Sequence, residues 1–349
     1  MPSVTPITRP NLYDIDLESI PSGRSGWYRS LLQAARAARE STHQGGALGA
    51  FTWSVAVFAD LKPATVGRRL EDLLGTIEAW PSTFITVVAH GPRHAGIAEV
   101  VREATARRDT PHRVVEIPHQ DMSNAWNQYV YGLRPLARHH LFVDSRLTVA
   151  PGGLDALRET MEEKAGITAA TGVPGGDDRR ARYLRQLLHA QGGLGAGLYA
   201  LREEFLERIV ERGIFLPVDL ADPKRLIGSL ICHDLAPHRH WSATRVMPVD
   251  RAGCRSSCPH PWTPWGLRHR YQRHIRQARA KMENQAIHRL IYADGFESLP
   301  ELSRELIDMT KHALPRGRES RSQIHFRKAA LDQEKRTTPP SPADLLPLA

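Results

Sequence analysis

The sequence predicts an α/β fold: a mostly parallel sheet with helices on both faces and helical extensions at either end. Three observations predict it. From residue 51 onward, short apolar runs alternate with helix-spaced segments, the pattern of a parallel sheet built from strand–helix units. The run Leu141-Phe142-Val143 stops abruptly at Asp144-Ser145-Arg146, which puts a carboxylate at the carboxyl edge of a sheet, where ligands bind in open α/β folds. Hydrophobic residues make up 41% of the 349-residue chain, enough core for one large or two modest domains.

Each element follows in order. Ser25 to Arg39 reads as a helical stretch, broken at Gly45-Gly46. Trp53 to Ala59 is a first strand. Leu70, Leu73, Leu74 and Ile77 carry a helical spacing across Val66 to Trp80. Phe84 to Ala89 is a second strand, Ala95 to Arg107 a second helix, and His112 to Ile117 a third strand. Met122 to Arg134 is a third helix and His140 to Val143 a fourth strand. Pro151 opens a further helix, proline being tolerated in the first turn. Ile167 to Gly172 is another strand. Residues 178–190 form an Arg-rich amphipathic helix, and Leu198 to Leu201 a strand leading into a helix from Arg202. The Gly-rich run at 192–197 lacks a strand directly before it, so it reads as a loop or a close backbone approach, not a dinucleotide fingerprint. A helix at Leu226 to His233, a long basic helix at 266–292 and a helix at Leu299 to Leu314 complete the series. The expected division is an N-terminal helical extension (1–50), a sheet domain (51–250), a helical C-terminal extension (251–314) and a disordered, charged and Pro-rich tail (315–349).

Charge and cysteine content narrow the function. The formal net charge is +9, which suits an anionic ligand, an acidic membrane surface or nucleic acid. Much of the excess sits in Arg268 to Lys281, with six basic residues and no acid, a pattern also expected of a solvated helix face. That helix lacks aromatic interleaving and matches no common nucleic-acid motif, which argues against nucleic acid as the partner. No run of eighteen apolar residues and no secretory leader are present, which predicts a cytoplasmic protein. The three cysteines, Cys232, Cys254 and Cys258, argue against a disulfide framework. Together with His260 they offer thiolate and imidazole zinc ligands at a non-standard spacing, or are simply structural.

Five segments resemble the inverting family 2 glycosyltransferases of GT-A fold, across roughly residues 52–250. They are Val55 to Lys62, Val87 to Gly91, Asn124-Ala125-Trp126-Asn127, Phe142 to Arg146, and Gly197 to Arg202. The resemblance implies a GT-A-like, Rossmann-like sheet and transfer of one sugar from a nucleoside diphosphate sugar, UDP-linked, to an acceptor hydroxyl. The acceptor is a small molecule, a lipid or a glycan. On the donor side it implicates Ala59, His90, Asn127, Asp144 and Arg146, with Arg273 and Arg276 of the basic helix assisting at the diphosphate. In such enzymes a divalent cation, Mn²⁺ or Mg²⁺, usually neutralises the departing diphosphate, held by carboxylates. Asp144 matches the first acid of the Asp-x-Asp motif and is the candidate metal ligand. Arg146 replaces the last acid. An arginine cannot ligate a metal but pairs directly with phosphate oxygens. The alternatives are a metal-independent enzyme, a non-catalytic GT-A-like binding or scaffold protein, and an Asp144 that merely caps a strand-end turn.

The base that takes the acceptor proton is assigned by resemblance to Asp222, with Asp219 second. Asp222 precedes Pro223 and is equally a good helix N-cap; one residue can serve both roles. His233-Asp234 is a further relay candidate. Gln272-Arg273-His274-Ile275-Arg276 does not match the Gln-x-x-Arg-Trp of processive members, which favours single-sugar transfer. Trp262 and Trp265 form either a sugar-facing aromatic wall or a packed loop.

Overall fold

The computed structural model describes residues 51–60, 63–92, 96–105, 110–238, 241–256, 263–310 and 320–347. The helix predicted at Ser25 to Arg39, with the rest of the N-terminal extension, lies outside these residues.

Apolar runs buried on both faces make a central parallel strand. β1 (Phe51–Ala59) is such a strand, flanked by β2 (Thr83–His90) and β4 (Ala137–Asp144), both parallel to it. β3 (His112–Ile117) lies parallel beyond β2. On the other side β7 (Leu198–Arg202) runs antiparallel between β4 and β6 (Ala169–Pro174). β8 (Val246–Ser256) is parallel to β6, and the short β5 (Leu147–Val149) closes the edge antiparallel to β8. The eight strands therefore run β3-β2-β1-β4-β7-β6-β8-β5, the predicted mostly parallel sheet.

Strand alternation divides the core in two. Val55, Val57 and Ala59 of β1 face α1 (Pro63–Ile77), α2 (Ile97–Thr105) and α4 (Gly153–Glu163). Ala56 and Phe58 face a second cluster that holds α3 (Met122–Gln128), α6 (Glu203–Glu211) and α7 (Pro223–Cys232). α5 (Arg179–Gln191) is the predicted Arg-rich helix, and α8 (Pro264–Asp294) the long basic one. α9 (Ser303–Thr310) packs on α8.

Four expectations are corrected. The helix predicted to run through Arg134 is α-helical only to Gln128 and widens into a π turn over Tyr129–Leu133. In that turn the Tyr129 hydroxyl bonds Ser54 (2.7 Å) and His140 (2.8 Å), and Tyr131 donates to the Ile214 carbonyl (2.8 Å). The helix predicted to open at Pro151 starts at Gly153. The boundary at 250 cuts through β8, whose exposed Asp250-Arg251 pair interrupts its apolar pattern. The tail predicted to be disordered forms α10 (Arg321–Arg336) and α11 (Pro342–Leu345). α10 begins with a Ser320/Gln323 capping box. Phe326 and Ala330, four apart, pack with Ile275 and Met282 of α8, and Glu334 pairs with Arg279 (3.0 Å). Too few apolar residues carry this contact to register as a periodic pattern.

Candidate functional site

β4 delivers Asp144 to the carboxyl edge, and the turn Ser145-Arg146 folds the next cation back on it. Oδ1 of Asp144 accepts from the Arg146 backbone N–H (2.9 Å) and Nε (3.0 Å), and Oδ2 from Nη2 (2.7 Å). Planar guanidinium against planar carboxylate is the strong, bidentate form of such a pair. Burial pushes the Asp144 carboxyl up, but the hydrogen bonds and charge of Arg146 outweigh it and hold it below the usual range. The Gly-rich loop closes from below. The Asp144 N–H donates to the Gly197 carbonyl (2.8 Å), and a Cβ at Gly197 would lie 2.6 Å from Asp144 Cβ. Close backbone approach is thus why this loop ends in glycine.

A second acid reaches the same guanidinium. Asp60, one residue beyond β1, places Oδ2 3.7 Å from Arg146 Nη1. Its Oδ1 is buried with no hydrogen-bond partner among the described residues. His90, the last residue of β2, is 3% exposed, and neither ring nitrogen has a partner there. Burial is the main reason its pKa is pushed down to about 4; the charges of Asp60, Arg146 and Asp144 act on the same ring. The imidazole is therefore neutral at physiological pH, with one donor and one acceptor unspent. Buried polar groups left unpaired cost about 1–3 kcal/mol each, so a polar partner at this corner would be stabilising.

Three further charges converge from the C-terminal half. Arg276 of α8, whose side chain is exposed like that of Arg273, feels the charges of Arg146, Asp60 and Asp222, and partial desolvation followed by Arg146 lowers its pKa. Lys224, in the first turn of α7, acts on Asp144. Asp222 occupies the N-cap position of α7, yet its side chain makes no capping hydrogen bond.

The remaining sequence candidates divide. Ala59 packs its methyl in the core, and its neighbour Asp60 carries the carboxylate. Asn127 is not in the cluster: its amide donates to the Leu216 carbonyl (2.8 Å) and accepts from the Leu216 N–H (3.0 Å), holding that loop. Arg273 is exposed on α8. Asp219, in left-handed conformation (φ 63°), bonds His119 (2.8 Å), so it is engaged where Asp222 is not. His233 packs against Trp241 and Tyr292, while Asp234 pairs with Arg208 (2.8 Å) and Arg245 (3.2 Å), a helix-end anchor in place of a relay. Asp60 and Lys224 were missed. The signal for Asp60 was the one that marked Asp144, an acid ending a buried strand; Lys224 had none.

The donor set does not fit a divalent cation as arranged. Both oxygens of Asp144 are held by a guanidinium, the second acid faces the same guanidinium, and no group of three or more His, Cys, Asp or Glu among the described residues is placed to hold a metal. Of the candidate zinc ligands, Cys232 and Cys254 are both buried, and burial pushes their thiols up to about 11 and about 12. Cys258, His260 and Trp262 lie outside the described residues; Trp265 is 63% exposed.

No family model and no curated protein matches the chain. Among solved structures it is similar to a mannosyltransferase from Pyrobaculum calidifontis in complex with GDP-Man and Mn²⁺, with 14% identity, 88% of this chain and 89% of that chain covered, and a TM-score of 0.50. The fold is GT-A-like. Glucosyl-3-phosphoglycerate synthase from Mycobacterium tuberculosis is similar at 16% identity, covering 79% of this chain and 86% of its own, with a TM-score of 0.45. No helix among the described residues is long and apolar enough to cross a membrane.

Proposed function

We propose that this chain is a glycosyltransferase that moves one sugar from a nucleoside diphosphate sugar, UDP-linked, to an acceptor hydroxyl with inversion, and that cationic side chains replace a divalent metal. One observation carries the reading: the Asp144–Arg146 clasp at the carboxyl edge stands beside buried, unpartnered atoms of His90 and Asp60. A GT-A-like fold supports a nucleotide-sugar donor, the ligand class of the mannosyltransferase bound to GDP-Man.

In this reading His90 and Asp60 meet the nucleoside, the neutral imidazole both donating and accepting. Arg146, Arg276 and Lys224 face the diphosphate. Fixed cations aimed where charge develops lower the barrier to leaving-group departure without reorganising at that moment. Asp222, half-buried and uncommitted as a cap, takes the proton of the attacking hydroxyl. Asp219, already bonded to His119, is the second candidate base.

The clasp also suits a second reading, a binding protein of the same fold, because Arg146 spends much of its charge on Asp144. Calorimetric titration with UDP, GDP and TDP, each with Mn²⁺ and with chelator, tests both. Binding of one nucleotide that survives chelation is expected, and Asp222→Asn should abolish transfer with nucleotide affinity unchanged. Binding without transfer by the unmodified chain would select the binding protein; no binding to any nucleotide would leave a non-catalytic scaffold of the same fold.

A further inference from the structure

A cleft of 810 Å³ opens on the same edge of the sheet, and neither Asp144, Arg146, His90 nor Asp60 lines it. Two strands place it there. β5 begins at Leu147, directly after Arg146, and Thr148 and Val149 form part of its wall. β6 runs in the same direction as β4, since β7 is antiparallel to both, so its carboxyl end at Pro174 opens toward the side where β4 presents Asp144. The cleft thus neighbours the proposed donor site along the chain and along the sheet.

Its chemistry is basic. Arg182, Arg185, Gln186 and His189 line it at spacings of three and four, one face of α5. Ala181 is the one buried residue of that helix, so the basic face turns to the cleft and not to the core. Arg185 is held in place by the carbonyls of Pro174 (2.9 Å) and Gly176 (2.6 Å). β8 adds Arg255, whose register partner is Thr148. The backbone between them is fitted to this. Gly176 has φ +107°, and a Cβ at Gly175 would crowd Arg255 Cγ and the Cys254 carbonyl at 3.1 Å each. Of the nearby acids, Asp250 pairs with His189 (3.0 Å), the fully exposed Asp177 reaches Arg185 only at 4.0 Å, and Asp178 spends Oδ1 on capping α5 while its Oδ2 and the Arg255 guanidinium both flank Gly176. Arg182 and Arg255 make no side-chain hydrogen bond or ion pair among the described residues, which leaves two lining guanidiniums, one from α5 and one from β8, uncommitted.

We infer that this cleft binds the anionic group, a phosphate or carboxylate, of the acceptor substrate, with Arg182 and Arg255 as its ligands. Planar guanidiniums recognise such oxyanions bidentately. The inference rests on the glycosyltransferase reading for the word acceptor; the anion site itself does not depend on it.

Calorimetric titration of the full chain with glycerol 3-phosphate, and with glycerol as its neutral counterpart, tests the site. Saturating nucleoside diphosphate is included so that the probe cannot occupy the donor cations. Binding of the phosphoester but not of glycerol is expected. Arg182→Gln and Arg255→Gln should each weaken it at least tenfold, with melting temperature and nucleotide affinity unchanged. Equal binding of glycerol, no binding of the phosphoester, or full affinity in the double variant would overturn the site. Nucleotide binding is scored separately, so loss of the donor reading and loss of the anion site give different results.

Discussion

Arg146 is where the chain departs most from a metal-binding site, and its two partners make its role measurable. Its guanidinium is about one-third exposed while it grips a buried carboxylate, so one edge stays open to a ligand. Arg146→Ala should weaken nucleoside diphosphate binding by roughly 10- to 100-fold, the value of one or two charge-assisted hydrogen bonds. Unchanged affinity in calorimetry would count against its place at the phosphates. His90 gives a second residue-scale prediction. Its folded pKa, about 4, lies below the unfolded value of 6.5, so the unfolded chain binds the proton first as pH falls. Its contribution is complete above 6.5 and is lost progressively down to 4, on the order of 3 kcal/mol across the window. Asp121 has the opposite sign: burial, then Asp219, raise it to about 6, so it costs stability as pH rises. The net slope of the protein is therefore a difference, and the readout is the variant. His90→Gln should flatten the loss of stability between pH 6.5 and 4 in denaturant titrations; an unaltered slope would mean the imidazole is not buried neutral.

The C-terminal segment is the element that changes the picture most. α11 is only four residues long, yet its Leu345 is 2% exposed and its carbonyl accepts from Asn124 (2.9 Å) and Gln128 (2.8 Å) of α3. The His119 N–H donates to the Asp344 carbonyl (3.0 Å) close by. Three donors, two from α3 and one from the loop before it, thus converge on this turn. Ending the chain after Pro340 uncovers an apolar side chain's seat and frees these donors, for a loss of roughly 2–4 kcal/mol. Urea unfolding checks this; a midpoint equal to that of the full chain would show that the turn contributes nothing.

At the scale of the whole molecule, five of the chain's basic side chains stand where ligands are proposed to bind: Arg146, Arg276 and Lys224 beside Asp144, and Arg182 and Arg255 in the neighbouring cleft. A focused positive edge steers anions, and salt screens it with a Debye length of about 8 Å at physiological ionic strength. Association of UDP in stopped-flow mixing should slow severalfold from low to high ionic strength, with dissociation changing less. Salt-independent association would mean that the charges act only at contact.

The chain's local pattern was enough to show an α/β sheet, most of its strands, and the edge on which a site would lie. Strand and helix periods are properties of neighbouring residues, and a strand that stops at an acid marks an edge by itself; Asp144 was readable for that reason, and Asp60 could have been. What joined them was not local. Lys224 acts on Asp144, and Arg276 links Arg146 with Asp222, from helices far along the chain, while Asn127, which sequence placed beside the donor, is spent on a backbone 89 residues away. The tail looked disordered because its few apolar side chains are meaningful only against the face of α8 that covers them. Side-chain commitment, which decides whether an acid holds a metal, an arginine or nothing, depends on which groups the packed sheet brings within 3–4 Å, and that distance exists only once the chain has closed on itself.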